Sequence, residues 1–140
     1  MLKHACHSVG LLLASCWLFP LAAAEVDFDT QVLPVLTRAG CNTGSCHGAA
    51  AGRGGLRLSL YGSNPALDHE RLVYELRGRR VNLDQPESSL VLLKPSGFLD
   101  HGGGLRLDEE GEGYQLLRDW ISSGAQRKGS RHLVTFRVTP

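Results

Sequence analysis

The sequence predicts a mainly α domain, and three observations carry that expectation. Apolar residues recur at helical spacing in three separated stretches, 28–39, 68–76 and 114–123. The connectors between them are rich in glycine, which breaks regular structure. An alternating apolar and polar pattern is confined to one short piece at 56–60 and to the tail at 133–138.

The first 24 residues stand apart from this domain. Lys3 gives a basic start, an apolar run covers residues 9–18, and Pro20-Leu21-Ala22-Ala23-Ala24 follows. That is the three-part layout of a secretory signal cut after Ala24. The run is too short for a stable membrane-spanning helix, so no transmembrane segment is expected after cleavage. Leu13-Ala14-Ser15-Cys16 is also similar to a lipobox and makes Cys16 an alternative lipid anchor. Against this, the run stays apolar through Trp17-Leu18-Phe19. A periplasmic or otherwise exported protein is expected.

The 140 residues carry 15 Lys+Arg and 14 Asp+Glu, a net charge of +1. Loss of Lys3 with the leader brings the charges into balance, which gives no electrostatic reason to expect nucleic acid binding. Cleavage also leaves only Cys41 and Cys46 of the four cysteines. The single methionine is Met1, so the mature chain has none.

The first helix is expected over 28–39, capped by Asp27 or Asp29, with Phe28, Val32, Val35, Leu36 and Ala39 recurring on it. Pro34 should start or kink it, and Gly40 should stop it. Residues 41–55 read as a loop, followed by the short extended piece at 56–60. Asn64-Pro65 marks a turn, and a second helix over 68–76 ends in Arg77-Gly78-Arg79-Arg80, positive charge that suits a helix C-terminus. Pro86-Glu87-Ser88-Ser89 starts a short helical turn bearing Leu90, Leu92 and Leu93. A glycine-rich loop at 97–104 holds His101. The last helix, 114–123, presents Tyr114, Leu117 and Ile121 on one face, with Leu116 and Trp120 beside them, and Gly124 closes it.

Chemistry concentrates in Gly40-Cys41-Asn42-Thr43-Gly44-Ser45-Cys46-His47-Gly48. Two close thiols with a histidine directly after the second suit covalent haem. The thiols add to the two vinyl groups of a rigid plane and the histidine supplies one axial nitrogen. The usual spacing is C-x-x-C-H; here it is C-x4-C-H, so two extra residues must loop out, and the small turn-forming composition of residues 42–45 allows it. A Cys41–Cys46 disulfide, favoured by export, is the bland reading. A zinc site completed by His69, His101, His132 or an acid is the third. Haem requires a second axial ligand or an open site, and without methionine His101 is the candidate. His69, in Asp68-His69-Glu70, reads as a solvated histidine on a charged surface, and His132 as exposed. Arg77 to Arg80 could hold haem propionates, or simply close a helix. Trp120 and Tyr114 could touch a haem edge, but on a terminal helix they more often pack in the core.

Residues 28–36, the Gly40 to Gly48 stretch, Gly55-Leu56-Arg57-Leu58-Ser59-Leu60-Tyr61-Gly62, Gly78-Arg79-Arg80-Val81 and Pro86-Glu87-Ser88-Ser89-Leu90 follow in order. His101-Gly102-Gly103-Gly104, residues 114–117, Trp120-Ile121 and Gly124-Ala125 close the series. Together they resemble the planctomycete-type cytochrome c domains over nearly all of residues 26–126. The resemblance implies a cytochrome c-like fold, with first and last helices packed together over one covalently bound haem c. Many relatives carry a Met-Pro-Pro segment before the last helix; this chain has His101 and three glycines there. In that family the haem domain often opens a longer exported protein. The tail 127–140, with its strand-like end, resembles the lead into such a domain.

The expected function is therefore that of an exported monohaem c-type cytochrome passing single electrons. Cys41 and Cys46 would anchor the haem, and His47 and His101 would ligate its iron. The pattern favours an electron carrier over a catalyst and does not identify the redox partner. Two rivals remain: a haem enzyme or sensor with an open distal site, and a haem-free, disulfide-stapled interaction module.

Overall fold

The computed structural model describes residues 25–128 together with Thr135, Arg137 and Val138. The expected signal at 1–24, with Cys16, lies outside the described residues, as does most of the tail at 129–140. The three described tail residues are exposed and carry no strand.

Among the described residues the fold is mainly helical, with four α-helices and no strand. They are α1 (Leu33–Arg38), α2 (Pro65–Val73), α3 (Leu90–Leu93) and α4 (Glu112–Ser122). No helix among these residues is long and apolar enough to cross a membrane.

The chain enters α1 through a π-helical turn, Phe28–Val32. Asp27 caps it: its Oδ1 accepts from the Thr30 amide at 2.8 Å and the Thr30 hydroxyl at 2.6 Å. Gln31 Oε1 returns the bond by accepting from the Asp27 amide at 2.9 Å. Pro34 brings no N–H for the Thr30 carbonyl, and the turn before it is wide, with the Leu33 amide donating to Phe28. The kink expected at Pro34 is thus this π turn.

α2 starts three residues earlier than its apolar pattern suggests. Asn64 is its N-cap, accepting from the Leu67 amide at 3.1 Å, and Pro65 takes the first helical position, where no donor is needed. The helix also stops short of Leu76. Leu76 and Arg77 have φ of 54° and 60°, a left-handed conformation that costs non-glycine residues free energy. Buried Arg80 holds this turn: it pairs with Glu75 at 3.0 Å and donates to the Arg71 and Gly55 carbonyls at 2.5 Å each.

The extended segment expected at 56–60 does not become a strand. Only an isolated bridge between Arg53 and Leu56 forms. The backbone donors that a partner strand would have met are met locally: Leu58 donates to the His47 carbonyl at 2.7 Å, and Ser59 to the Asp68 carboxylate at 2.5 Å.

α4 buries Tyr114, Leu117, Trp120 and Ile121. It meets the first helix at both ends. Phe28 and Trp120 have ring centroids 5.3 Å apart. A Cβ added at Gly113 would sit 3.2 Å from Val35 Cγ1, so the Val35 side chain packs directly against the bare face of this glycine.

His69 is the main departure from the sequence reading. It is not a solvated surface histidine but is 6% exposed, wedged edge-on against Phe28 and Trp120. Its Nε2–H donates to the Ala125 carbonyl at 2.7 Å, tying α2 to the end of α4. The register explains this. His69 lies three and four residues before Leu72 and Val73, so it shares their buried face.

Burial lowers the His69 pKa, so the neutral ring is the form that fits the fold. Below the ordinary histidine pKa the unfolded chain takes up this proton and the folded chain does not. Stability should therefore fall as pH drops from about 7 to 5. His69→Ala should cost about 2–3 kcal/mol at pH 7 in urea unfolding and flatten this part of the pH profile. A loss under about 0.5 kcal/mol would contradict the packing described.

Candidate functional site

The site begins where α1 ends. Gly40, at φ 76°, closes the helix with a pair of bonds: the Gly40 amide donates to Thr37 at 3.0 Å and the Cys41 amide to Leu36 at 2.9 Å. This is the Schellman closure, which turns the chain sharply and leaves Cys41 against the core.

From Cys41 the chain folds into consecutive tight turns. The Cys46 amide donates to Thr43 at 3.0 Å, and the His47 amide reaches back to the Cys41 carbonyl at 2.9 Å. That last bond shuts the loop and puts both thiols and the imidazole on one wall. Two residues of the four between the cysteines loop out. Gly44 and Ser45 are exposed, whereas Asn42 is fully buried. Its Nδ2 donates to Thr37 Oγ1 at 2.8 Å, and its carbonyl accepts from the Tyr61 amide at 3.1 Å. Gly48 is required by space: a Cβ there would lie 2.1 Å from the Asn42 carbonyl oxygen.

His47 Nδ1 sits between two backbone carbonyls, Arg53 at 3.1 Å and Leu56 at 3.2 Å. Carbonyls only accept, so Nδ1 carries the proton and Nε2 keeps its lone pair. The glycine-rich loop therefore orients the ring. Burial also pushes the His47 pKa down, which favours the neutral, ligating form.

His101 repeats the arrangement in the same cavity. Its Nδ1 donates to the Gly104 carbonyl at 3.0 Å, again leaving Nε2. The two ring centroids are 6.2 Å apart, and the planes differ by 16°. An imidazole nitrogen ~2.0 Å from a metal puts its ring centroid roughly 3 Å away, so two rings on opposite sides of one ion stand roughly 6 Å apart. The observed separation has that size.

Cys41, Cys46, His47 and His101 all line one cavity of about 700 Å³. Leu36, Leu58, Leu72 and Leu90 give it apolar walls, and Arg53, Arg79, Lys94 and Arg106 stand around it. This is a size and make-up suited to a cofactor. Arg80 also reaches the cavity, but its guanidinium is committed to backbone carbonyls and Glu75. Of the basic run, Arg79 is left for a ligand. Trp120 and Tyr114 are buried in the core and are not among the residues lining the cavity.

Cys41 and Cys46 are both free thiols, so the disulfide reading has no bond behind it here. Burial, with Cys46 nearby, pushes the Cys41 thiol up to about 11. Among the described residues no group of three or more His, Cys, Asp or Glu is arranged to hold a metal ion, so the zinc reading lacks a ligand set there. His132 lies outside the described residues.

Sequence reasoning named the two thiols and two imidazoles that the cavity gathers. It missed Asn42 and the carbonyls of Arg53 and Leu56. Backbone carbonyls leave no mark in the residue code, but Asn42, two residues after the helix-closing Gly40, was a legible signal. Comparison with family models, curated proteins and solved structures gives no match for this chain.

The thiolate is the reactive form, so Cys41 in haem-free protein should alkylate slowly at pH 8 and speed up towards pH 11, while denatured chain labels readily at pH 8. Equal rates for folded and denatured protein at pH 8, read by peptide mass spectrometry, would contradict the buried thiol.

Proposed function

We propose that this chain is an exported monohaem c-type cytochrome domain, of the planctomycete type that its motifs resemble, and that it carries single electrons. The observation that carries the reading is the paired imidazoles. Each has Nδ1 held by backbone carbonyl, and the centroids lie 6.2 Å apart in the cavity that also holds both free thiols.

These residues fit haem c. The porphyrin supplies four nitrogens, so the protein needs to provide two more and not a three-residue metal cluster. His47 and His101 would provide them through Nε2. Each thiol of Cys41 and Cys46 would add across one vinyl double bond. The C–S bond would form at one carbon, the thiol proton would end on the other, and nothing would leave. The raised pKa of Cys41 keeps that thiol protonated at neutral pH, so the addition would need a maturation system to deliver and orient the haem.

Bound haem supplies a one-electron ferric/ferrous couple. The chain's own part would be to hold the Nε2 atoms of His47 and His101 through the backbone contacts of their Nδ1 atoms, so that little rearrangement would accompany the change of charge. Apolar Leu36, Leu58, Leu72 and Leu90 exclude water from the cavity wall. Arg79, exposed at its edge, offers paired donors to a carboxylate. Two imidazoles set a lower potential than a histidine–methionine pair. The rival with an open distal site is disfavoured by the placement of His101 facing His47.

The reading predicts three results for protein matured with haem. Cys41→Ser should keep the haem mass through a single thioether, with the pyridine haemochrome band shifted to longer wavelength by the unreacted vinyl, and Cys41→Ser with Cys46→Ser should lose covalent haem, read by intact mass. His101→Ala should keep the haem mass but change from a low-spin to a high-spin spectrum and bind carbon monoxide readily. An unchanged spectrum in His101→Ala would remove His101 from the iron and favour the open-site enzyme or sensor.

A further inference from the structure

We infer that Arg106 is a positioning residue that clasps the His101 loop at the cavity and holds the His101 imidazole in place. This rests on the haem reading above.

The loop needs holding. His101 is followed by Gly102, Gly103 and Gly104, the residues with the most backbone freedom to lose, and Gly104 sits at φ 73°. Few bonds fix it. Lys94 Nζ donates to the Asp100 carbonyl at 2.9 Å on the near side of the histidine. On the far side Arg106 Nε donates to the Gly103 carbonyl at 2.7 Å, and the Arg106 amide donates to Pro95 at 2.7 Å. Gly103 also abuts the ring: a Cβ there would stand 2.9 Å from His101 Cε1. The peptide that Arg106 grips is therefore the one that backs the imidazole.

The same side chain reaches the opposite wall. Arg106 Nη1 is the nearest atom to the open face of Gly40, 3.7 Å from where a Cβ would be, and its charge acts on the Cys41 thiol. One guanidinium thus spans the distal loop and the segment that carries the first cysteine. The division of labour suits arginine, whose Nε can hold a carbonyl while the Nη atoms point elsewhere. Lysine, with one nitrogen, cannot do both.

The test compares wild type, Arg106→Ala, Arg106→Lys and Gly103→Ala, all matured with haem. Intact mass, the optical spectrum, the carbon monoxide association rate and the thermal midpoint are measured for each. All four should carry one haem. Arg106→Ala should show a partly high-spin spectrum and bind carbon monoxide about tenfold faster, since a charged hydrogen bond that favours the closed loop is gone. Arg106→Lys should fall between it and wild type. Gly103→Ala, which pushes the ring directly, should shift in the same direction, with thermal midpoints close to wild type.

A wild-type spectrum and carbon monoxide rate in Arg106→Ala would overturn the clasp and leave the haem reading standing. If Arg106→Ala does not accumulate, Arg106→Lys decides: a wild-type rate there overturns the clasp. A wild type without haem mass would overturn both.

Discussion

The bond from the His47 amide to the Cys41 carbonyl is the constraint on which the site depends. It closes the seven-residue span from Cys41 to His47, which would otherwise swing two thiols and an imidazole through independent arcs. It can form because the chain leaves α1 in a fixed direction, set by the left-handed Gly40 and the paired bonds around it. It persists because Gly48 lets the returning chain pass over the Asn42 carbonyl, a passage that any side chain would block. The loop is thus shaped by backbone hydrogen bonding and by the absence of a Cβ. It does not depend on the chemistry of the residues it displays.

The two histidines of the cavity and the one in the core show the same side chain put to different uses by its neighbours. At His47 and His101 a backbone carbonyl takes Nδ1 and leaves Nε2 available. At His69 a carbonyl takes Nε2 itself, and the ring is packed between Phe28 and Trp120. That contact locks α2 against α4 and so steadies Leu72, which forms part of the cavity wall. The core and the site share an element, and the core histidine is one of the pins.

Much of the site was legible in the sequence because its chemistry is local. Cys41, Cys46 and His47 are adjacent by necessity, and His101 stood out in a glycine-rich loop of a mature chain without methionine. The first and last helices were legible from their apolar spacing and their closing glycines. The errors came where distant or backbone partners decide. His69 looked polar because its neighbours Asp68 and Glu70 are charged, yet Asp68 is itself buried, accepting from Ser59. The alternation of residues 56–60 suggested a strand, but the donors found loop and side-chain acceptors first. The left-handed turn at Leu76 and Arg77 carries no residue signal, since neither type favours it.

The central claim is that the cavity gathers its thiols and imidazoles for one covalently bound haem. The pyridine haemochrome spectrum of the exported protein, measured with its intact mass after expression with a cytochrome c maturation system, tests it most directly. The account predicts a c-type band and a polypeptide heavier by one haem. A bare polypeptide mass with no such band would contradict it and would return Cys41 and Cys46 to the disulfide-stapled interaction module.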